Sequence, residues 1–301
     1  MTSGLLSAER DWFTSCFRLH LVQYVEYSFD ADDRRLGTMI FGDRKFLSEL
    51  ESFVAPFPFA HEWSRAMRRF ADAVRPVSFL FKVDWKGPQA LSFSLYCRFI
   101  DNLNAEQLSA ALGDSAATAW GGPKPQDIGH ALGTDWPHGM GLRVLRDGRF
   151  HAAVYNRVSM PATEFRLKAL PELVDVCGLP AEIGRAVGVD MASVHRPGPV
   201  GVIGVDGGAD RRAAALKLDA EAVPAIWALR FVESRGASRV RVAQLGQIVR
   251  SLGLRCLGYL GLKYTAEGFD SWKIYVPMQP RLGRPAGAPH LNINQWAGAQ
   301  S

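Results

Sequence analysis

Residues 261–277 read GLKYTAEGFDSWKIYVP, two short runs flanking a glycine-containing turn. The second run, SWKIYV, alternates. On a strand, Trp272 and Ile274 fall on one face, and Lys273 and Tyr275 on the other. A lysine and a phenol on one strand face carry meaning only if other strands repeat them. LSFSLYCRF (91–99), TEFRLKAL (163–170) and AALKLDA (214–220) do, each with polar residues at i and i+2 between apolar neighbours. Each also follows an earlier apolar run and a turn. The earlier runs are VSFLFKVD (77–84), FHAAVYN (150–156) and GVIGVD (201–206), as GYLGLK (258–263) precedes SWKIYV. The turns carry Gly87-Pro88, Ser159 to Pro161, Gly207-Gly208 and Gly268. A weaker copy joins VQYVEYSF (22–29) through DADDRR to LGTMIFG (36–42). Five hairpins predict ten strands. Asp147-Gly148 is a second hairpin signal inside the third unit, so an extra strand or a different register stays open there.

Helical periodicity fills the gaps. Leu5, Leu6, Phe13, Cys16 and Phe17 share a side, as do Trp63, Met67, Phe70 and Val74. Ala105, Leu108 and Leu112 form a third stripe, and Leu245, Ile248, Val249 and Leu252 a fourth. Residues 171–187 are predicted helical with a break at Pro180, and 221–235 helical with Pro224 in the first turn. Helix and hairpin alternate without a linker. The expectation is one α+β domain over 1–278 and an irregular tail over 279–301.

Bulk properties narrow the function classes. The chain has 301 residues, 48% hydrophobic, with a formal net charge of +5, which suits an anionic partner such as phosphate. Cys16, Cys97, Cys177 and Cys256 are widely spaced, against a zinc site or a disulfide framework. The seven histidines show no metal spacing. No run has the length of a membrane span, and MTSGLLSAERDWF lacks the apolar core of a signal peptide. Basic residues are spread rather than clustered, against nucleic-acid binding. A soluble, reduced, cytoplasmic monomer is expected.

The apolar strand face should meet the helices, through Phe93, Leu95, Phe165, Leu167, Leu216, Leu218, Trp272 and Ile274. The other face carries Ser94, Tyr96, Arg166, Lys168, Lys217, Asp219, Lys273 and Tyr275. In an open sheet that face is solvated, and the chain is an interaction protein. In a closed barrel it lines a polar chamber. Ten antiparallel strands leave edges to manage, and a closed ring of ten is wide enough to hold ligand, which favours the barrel.

Five successive α-β-β-α units with K-x-Y-like pairs resemble the ABBA, or PT-barrel, aromatic prenyltransferases, in style the bacterial enzymes that prenylate cyanobactin peptides and indoles. The resemblance implies a short allyl diphosphate donor, dimethylallyl foremost, and an aromatic or other nucleophilic acceptor on a peptide or small molecule in secondary-metabolite biosynthesis. It implies diphosphate ligands at Arg35, Arg166, Lys168, Lys217 and Lys273, with Lys82 and Lys263 as further candidates, since convergent cations stabilise the leaving group. Tyr96 and Tyr275 stand where the family places its cation-shielding tyrosines. Glu26, in Glu26-Tyr27-Ser28, matches the acidic residue near the acceptor and is a base or acceptor anchor; a solvent-facing strand residue is the alternative. Magnesium with the diphosphate is a candidate without a dedicated ligand set, and no tightly bound organic cofactor is implied. Two positions depart from the pattern. Ser94 stands in place of a K-x-Y lysine, and Asp219 in place of an aromatic or neutral group. A non-catalytic barrel for a small anionic or amphipathic ligand is the alternative that these departures favour.

Two other motifs lack their context. GVIGVDGGAD is glycine-rich, but a strand-like run follows it where a dinucleotide fingerprint needs a helix. DADDRR falls in a turn, whereas the acidic motifs of isoprenoid enzymes project from helices.

Overall fold

Ten antiparallel strands close into a single barrel in the computed structural model, which describes residues 22–32, 35–42, 46–74, 78–86, 89–98, 122–134, 137–158, 162–194, 201–207 and 214–278. They are β1 (Val22–Phe29), β2 (Arg35–Gly42), β3 (Ser78–Lys86), β4 (Gln89–Arg98), β5 (Gly139–Leu145), β6 (Phe150–Arg157), β7 (Val202–Gly207), β8 (Ala215–Glu221), β9 (Tyr259–Thr265) and β10 (Gly268–Met278). Each pairs with its chain neighbours, and β1 pairs with β10 to complete the ring, with Ser28 opposite Tyr275. Closure leaves no strand edge exposed.

The helices are α1 (Phe46–Val54), α2 (His61–Val74), α3 (Pro125–Ala131), α4 (Ala162–Glu164), α5 (Leu170–Val176), α6 (Ala181–Val194), α7 (Ala225–Ser234) and α8 (Arg239–Ser251). A π-helical turn, Phe165–Ala169, joins α4 to α5. The helices pack on the outer wall. Trp63 of α2 is fully buried against β3–β5, and its Nε1 donates to the Leu142 carbonyl at 3.1 Å. Phe81 and Phe93 stack there at 5.9 Å. On the opposite side, Leu216, Leu218, Leu262, Trp272 and Ile274 are buried with Leu173, Val187, Val232 and Leu245. Two polar contacts fix the outer layer. Asp190 of α6 pairs with Arg235 and accepts from Tyr264 Oη at 2.7 Å. Buried Arg241 of α8 donates to the carbonyls of Asp32 and Arg35, tying α8 to the β1–β2 turn.

One hairpin differs from the sequence expectation. FHAAVYN is the second strand of the third hairpin, and GMGLRVL (139–145) is the first. The turn is Asp147-Gly148, where the Gly148 amide donates to the Leu145 carbonyl at 2.9 Å and φ of +84° suits glycine. TEFRLKAL is helical. Its alternation spans too few residues to separate period 2 from period 3.6, and a helix buries Phe165, Ala169 and Leu173 together while Leu167 is 77% exposed. Residues 221–224 also differ, because β8 runs to Glu221 and the helix starts at Ala225, with Pro224 as its cap. The expected helices over 5–18 and 105–112, and the tail 279–301, lie outside the described residues.

Candidate active site

With the third hairpin corrected, the described side chains alternate between wall and lumen along the strands, and the registers set the inward ones beside one another. The hairpin turns all lie at one end. Near them Asp84 stands opposite Ser92; Lys82, Ser94 and Arg143 share the next register row, Lys217 stands opposite Lys263, and Asp206 opposite Ala153 and Ala215. The tyrosines stand further from the turns, Tyr96 two residues beyond Ser94 on β4 and Tyr275 two beyond Lys273 on β10; Asp219 and Lys273 both lie opposite Gly261, Tyr275 opposite Tyr259, and Tyr155 opposite Gly139 and Gly204. The lumen therefore has a charged band next to an aromatic band.

The charged band is organised by two aspartates. Asp84 Oδ1 lies 3.2 Å from Lys82 Nζ and 3.5 Å from Lys273 Nζ. Its Oδ2 lies 3.2 Å from Arg143 Nη2 and accepts from Ser92 Oγ at 3.0 Å. Arg143 Nε donates in turn to Ser92 Oγ at 3.2 Å. Across the lumen, Asp206 Oδ2 lies 3.2 Å from Lys217 Nζ and 3.9 Å from Lys263 Nζ, and Lys263 also pairs with Asp270 at 3.3 Å. Burial acts to raise the Asp84 carboxyl, but Lys273, Lys82 and Arg143 together hold it well below the usual carboxylate range. Burial lowers Lys273 to about 8, against the pull of Asp84. The Lys273 side chain is nonetheless 28% accessible, so it lines an open space within the wall.

Glycines make room for the aromatic band. A Cβ at Gly141 would lie 2.7 Å from the Tyr96 ring, and one at Gly204 the same distance from Tyr155. The Tyr96 and Tyr155 rings meet edge to face at 5.4 Å, as do Tyr259 and Tyr275 at 6.2 Å. The two bands touch. Lys82 Nζ stands 5.6 Å from the Tyr275 ring centre and Lys217 Nζ 5.9 Å from that of Tyr155. Burial, with Tyr96, Asp206 and Asp219 nearby, pushes the Tyr155 phenol up, so it stays neutral.

Lys82, Lys217, Lys263, Lys273, Tyr96 and Tyr275 come together in the lumen. Ser94 is buried opposite Lys82 and Arg143, so a cation on each neighbouring strand flanks the position. Arg166 and Lys168 do not reach the lumen. They sit on the outer π turn, where Lys168 pairs with Glu164 at 3.0 Å and Arg166 passes Gly188 of α6. Arg35 opens β2 at the hairpin-turn rim, half exposed, 3.3 Å from Asp32. The Glu26 side chain lies outside the described residues; its backbone pairs with Met39 and Pro277. Sequence reading missed Arg143 and Tyr155, because the strand carrying Arg143 was not drawn and β6 was paired with the wrong partner. The Asp147-Gly148 turn was the signal that recovers both. Among the described residues no group of three or more His, Cys, Asp or Glu gathers to hold a metal, and no helix is long and apolar enough to cross a membrane.

No protein-family model matches the chain, and no curated protein matches it by sequence. Solved structures do match in shape. NotF prenyltransferase superposes with a TM-score of 0.58 at 9% identity, over 84% of this chain and 80% of that one. The 5-dimethylallyltryptophan synthase of Streptomyces coelicolor gives 0.55 at 12% identity, over 84% and 80%. The 6-dimethylallyltryptophan synthase of Micromonospora olivasterospora, solved with DMASPP and Trp, gives 0.53 at 15% identity, over 84% and 81%. The fold of this chain is the PT barrel of the ABBA aromatic prenyltransferases.

Proposed function

We propose that this protein is a prenyltransferase that moves a dimethylallyl or other short prenyl group from its diphosphate to an aromatic or other nucleophilic acceptor on a peptide or small molecule. The observation that carries this reading is the pair of bands: cations from five strands beside tyrosines, inside one closed barrel. Lys82, Arg143, Lys217, Lys263 and Lys273 take the diphosphate. Their charge stabilises the departing anion, more strongly within the wall than in bulk water. Asp84 and Asp206 hold these cations in place before the donor arrives. Tyr96, Tyr155 and Tyr275 flank the allyl carbons, offering negative ring faces to the developing cation. Glu26 serves as base or acceptor anchor, and Arg35 draws the diphosphate in at the rim. Magnesium, if it takes part, enters with the diphosphate.

Titration with dimethylallyl and geranyl diphosphates by calorimetry, followed by pyrophosphate release with tryptophan, indole and tyrosine-containing peptides, tests the reading. The expected result is micromolar donor binding and acceptor-dependent release. Full activity of both Lys217→Ala and Lys273→Ala would remove the clamp assignment. A second reading, a non-catalytic barrel for an anionic ligand, draws on Ser94 and Asp219 at K-x-Y positions. Donor binding without turnover on any acceptor is its signature.

A further inference from the structure

Among the described residues, Asp219 differs from the two aspartates that organise the charged lumen. Asp84 and Asp206 are each bridged by two or more cations. Among the described residues, Asp219 takes part in no ion pair and no hydrogen bond. It is half-buried, and its oxygens are not among the sealed polar atoms of the interior, so the carboxylate is open to the lumen. Its register sets it opposite Gly261 on β9 and Val202 on β7. A Cβ at Gly261 would lie 2.6 Å from Asp219 Oδ1 and 3.1 Å from the Tyr275 ring. The carboxylate and a proposed cation-shielding ring therefore converge over one bare glycine, which also faces Lys273 across the β9–β10 pair.

The charges that act on Asp219 come from several strands. Lys217 and Glu221 are on its own strand, Lys82 is on β3 and Lys273 on β10. Tyr155 on β6, its phenol pushed up by burial, and Tyr275 on β10 complete the surroundings. Lys263 on β9 is engaged by Asp206 and Asp270, and Arg157 on β6 faces Glu221 at 3.6 Å.

We propose that Asp219 is the general base of the reaction, taking the ring proton of the acceptor, which leaves Glu26 to anchor it. The proposal rests on the prenyl-transfer reading above. In the step, the allyl C1–O bond breaks and its electron pair leaves on the diphosphate. A π pair of the acceptor ring forms the new bond to the allyl carbon. The proton on the attacked ring carbon passes to Asp219, and its bonding pair restores aromaticity. Burial raises the Asp219 carboxyl to about 6, against Lys217, Lys82 and Lys273, so at neutral pH it is ionised yet basic enough to accept a proton.

The same three lysines are ligands of the diphosphate in this reading. Before the donor binds they stabilise the ionised carboxylate; with the donor bound, their field is neutralised. Donor binding thus makes Asp219 a stronger base at the moment a proton must be received. Linkage is reciprocal, so an anion should bind more tightly when Asp219 is protonated.

Inorganic pyrophosphate titrated by calorimetry from pH 5 to pH 8, on wild type and Asp219→Asn, reads this coupling without an acceptor. The ratio of wild-type to variant affinity is expected to fall by about 10-fold as pH rises through 6, a change of about 1.4 kcal/mol. In steady-state prenylation, Asp219→Asn should keep KM for the donor within a few-fold, lose about 10²-fold or more in kcat, and lose the acid limb of the pH–rate profile. A flat affinity ratio, or a variant with wild-type kcat and pH profile, overturns the proposal. So does Glu26→Gln if that variant, and not Asp219→Asn, abolishes the rate and the acid limb. Wild type that binds pyrophosphate but alkylates no acceptor overturns the base assignment together with the reading beneath it. An active Asp219→Asn overturns the base alone.

Discussion

Two charge clusters face each other across the lumen and balance themselves differently. Around Asp84, cations from β3, β5 and β10 surround one carboxylate, and Ser92 completes the shell. Around Asp206, two lysines from β8 and β9 share one oxygen, with Asp219 beside them and Asp270 drawing Lys263 toward the rim. The first cluster is cation-rich and needs its aspartate for stability. The second is close to neutral and has a carboxylate to spare. The two walls of one ring of hydrogen bonds thus differ in charge, one rich in cations and the other with a carboxylate outside any ion pair among the described residues.

The largest effect expected is on stability. Asp84→Ala leaves Lys82, whose side chain is 4% exposed, beside two further cations with no shared counter-charge. Loss of such a partner costs about 3–5 kcal/mol, and Asp206→Ala should cost less because its lysines are more exposed. Thermal unfolding measures both, and equal losses would break the contrast. Millimolar pyrophosphate should recover part of the Asp84→Ala loss, because an anion bound to the folded state replaces the missing charge. Next comes catalysis. Lys273→Ala should lower kcat/KM for dimethylallyl diphosphate by about 10²-fold, comparable with removing one oxyanion donor. Lys263→Ala should lower it less, since Asp270 shares that lysine.

A smaller effect separates Asp219 from both clusters. Its folded carboxyl is raised to about 6, above the unfolded value of about 3.9. Its proton therefore favours the folded state. That contribution is complete below pH ~4 and is lost as pH rises through 6. Above that, ionised Asp219 opposes folding by on the order of 1–3 kcal/mol. Asp219→Asn should melt higher than wild type at pH 7, and the difference should vanish near pH 4. The smallest effect is a control on the outer helix. Lys168→Ala removes only an exposed pair with Glu164, so the melting temperature and turnover should match wild type.

Much of the barrel was legible because alternation is a property of single strands. Trp272 and Ile274 outward, with Lys273 and Tyr275 inward, needs no knowledge of partners. The third hairpin was not legible by the same rule, since residues 163–170 satisfy both periods and only tertiary burial of Phe165 decides between them. The error carried Arg166 and Lys168 into the site and left Arg143 and Tyr155 out. Which cations share which aspartate was beyond the sequence altogether. Lys82 and Asp84 stand two apart on one strand, but Arg143 reaches the same carboxylate across β4, and Lys273 comes from β10, brought near only by closure of the ring.

That closure has a consequence for biosynthesis. Ser28 must find Tyr275 across nearly the whole chain, and such a distant pairing forms late and slowly. Throughout translation the nascent sheet carries two open borders, and its lysines meet bulk water on a surface that is not yet an interior. The ring completes only after β10 leaves the ribosome, so an interrupted synthesis upstream of Lys273 yields an aggregation-prone ribbon without an inside, rather than a weakened barrel.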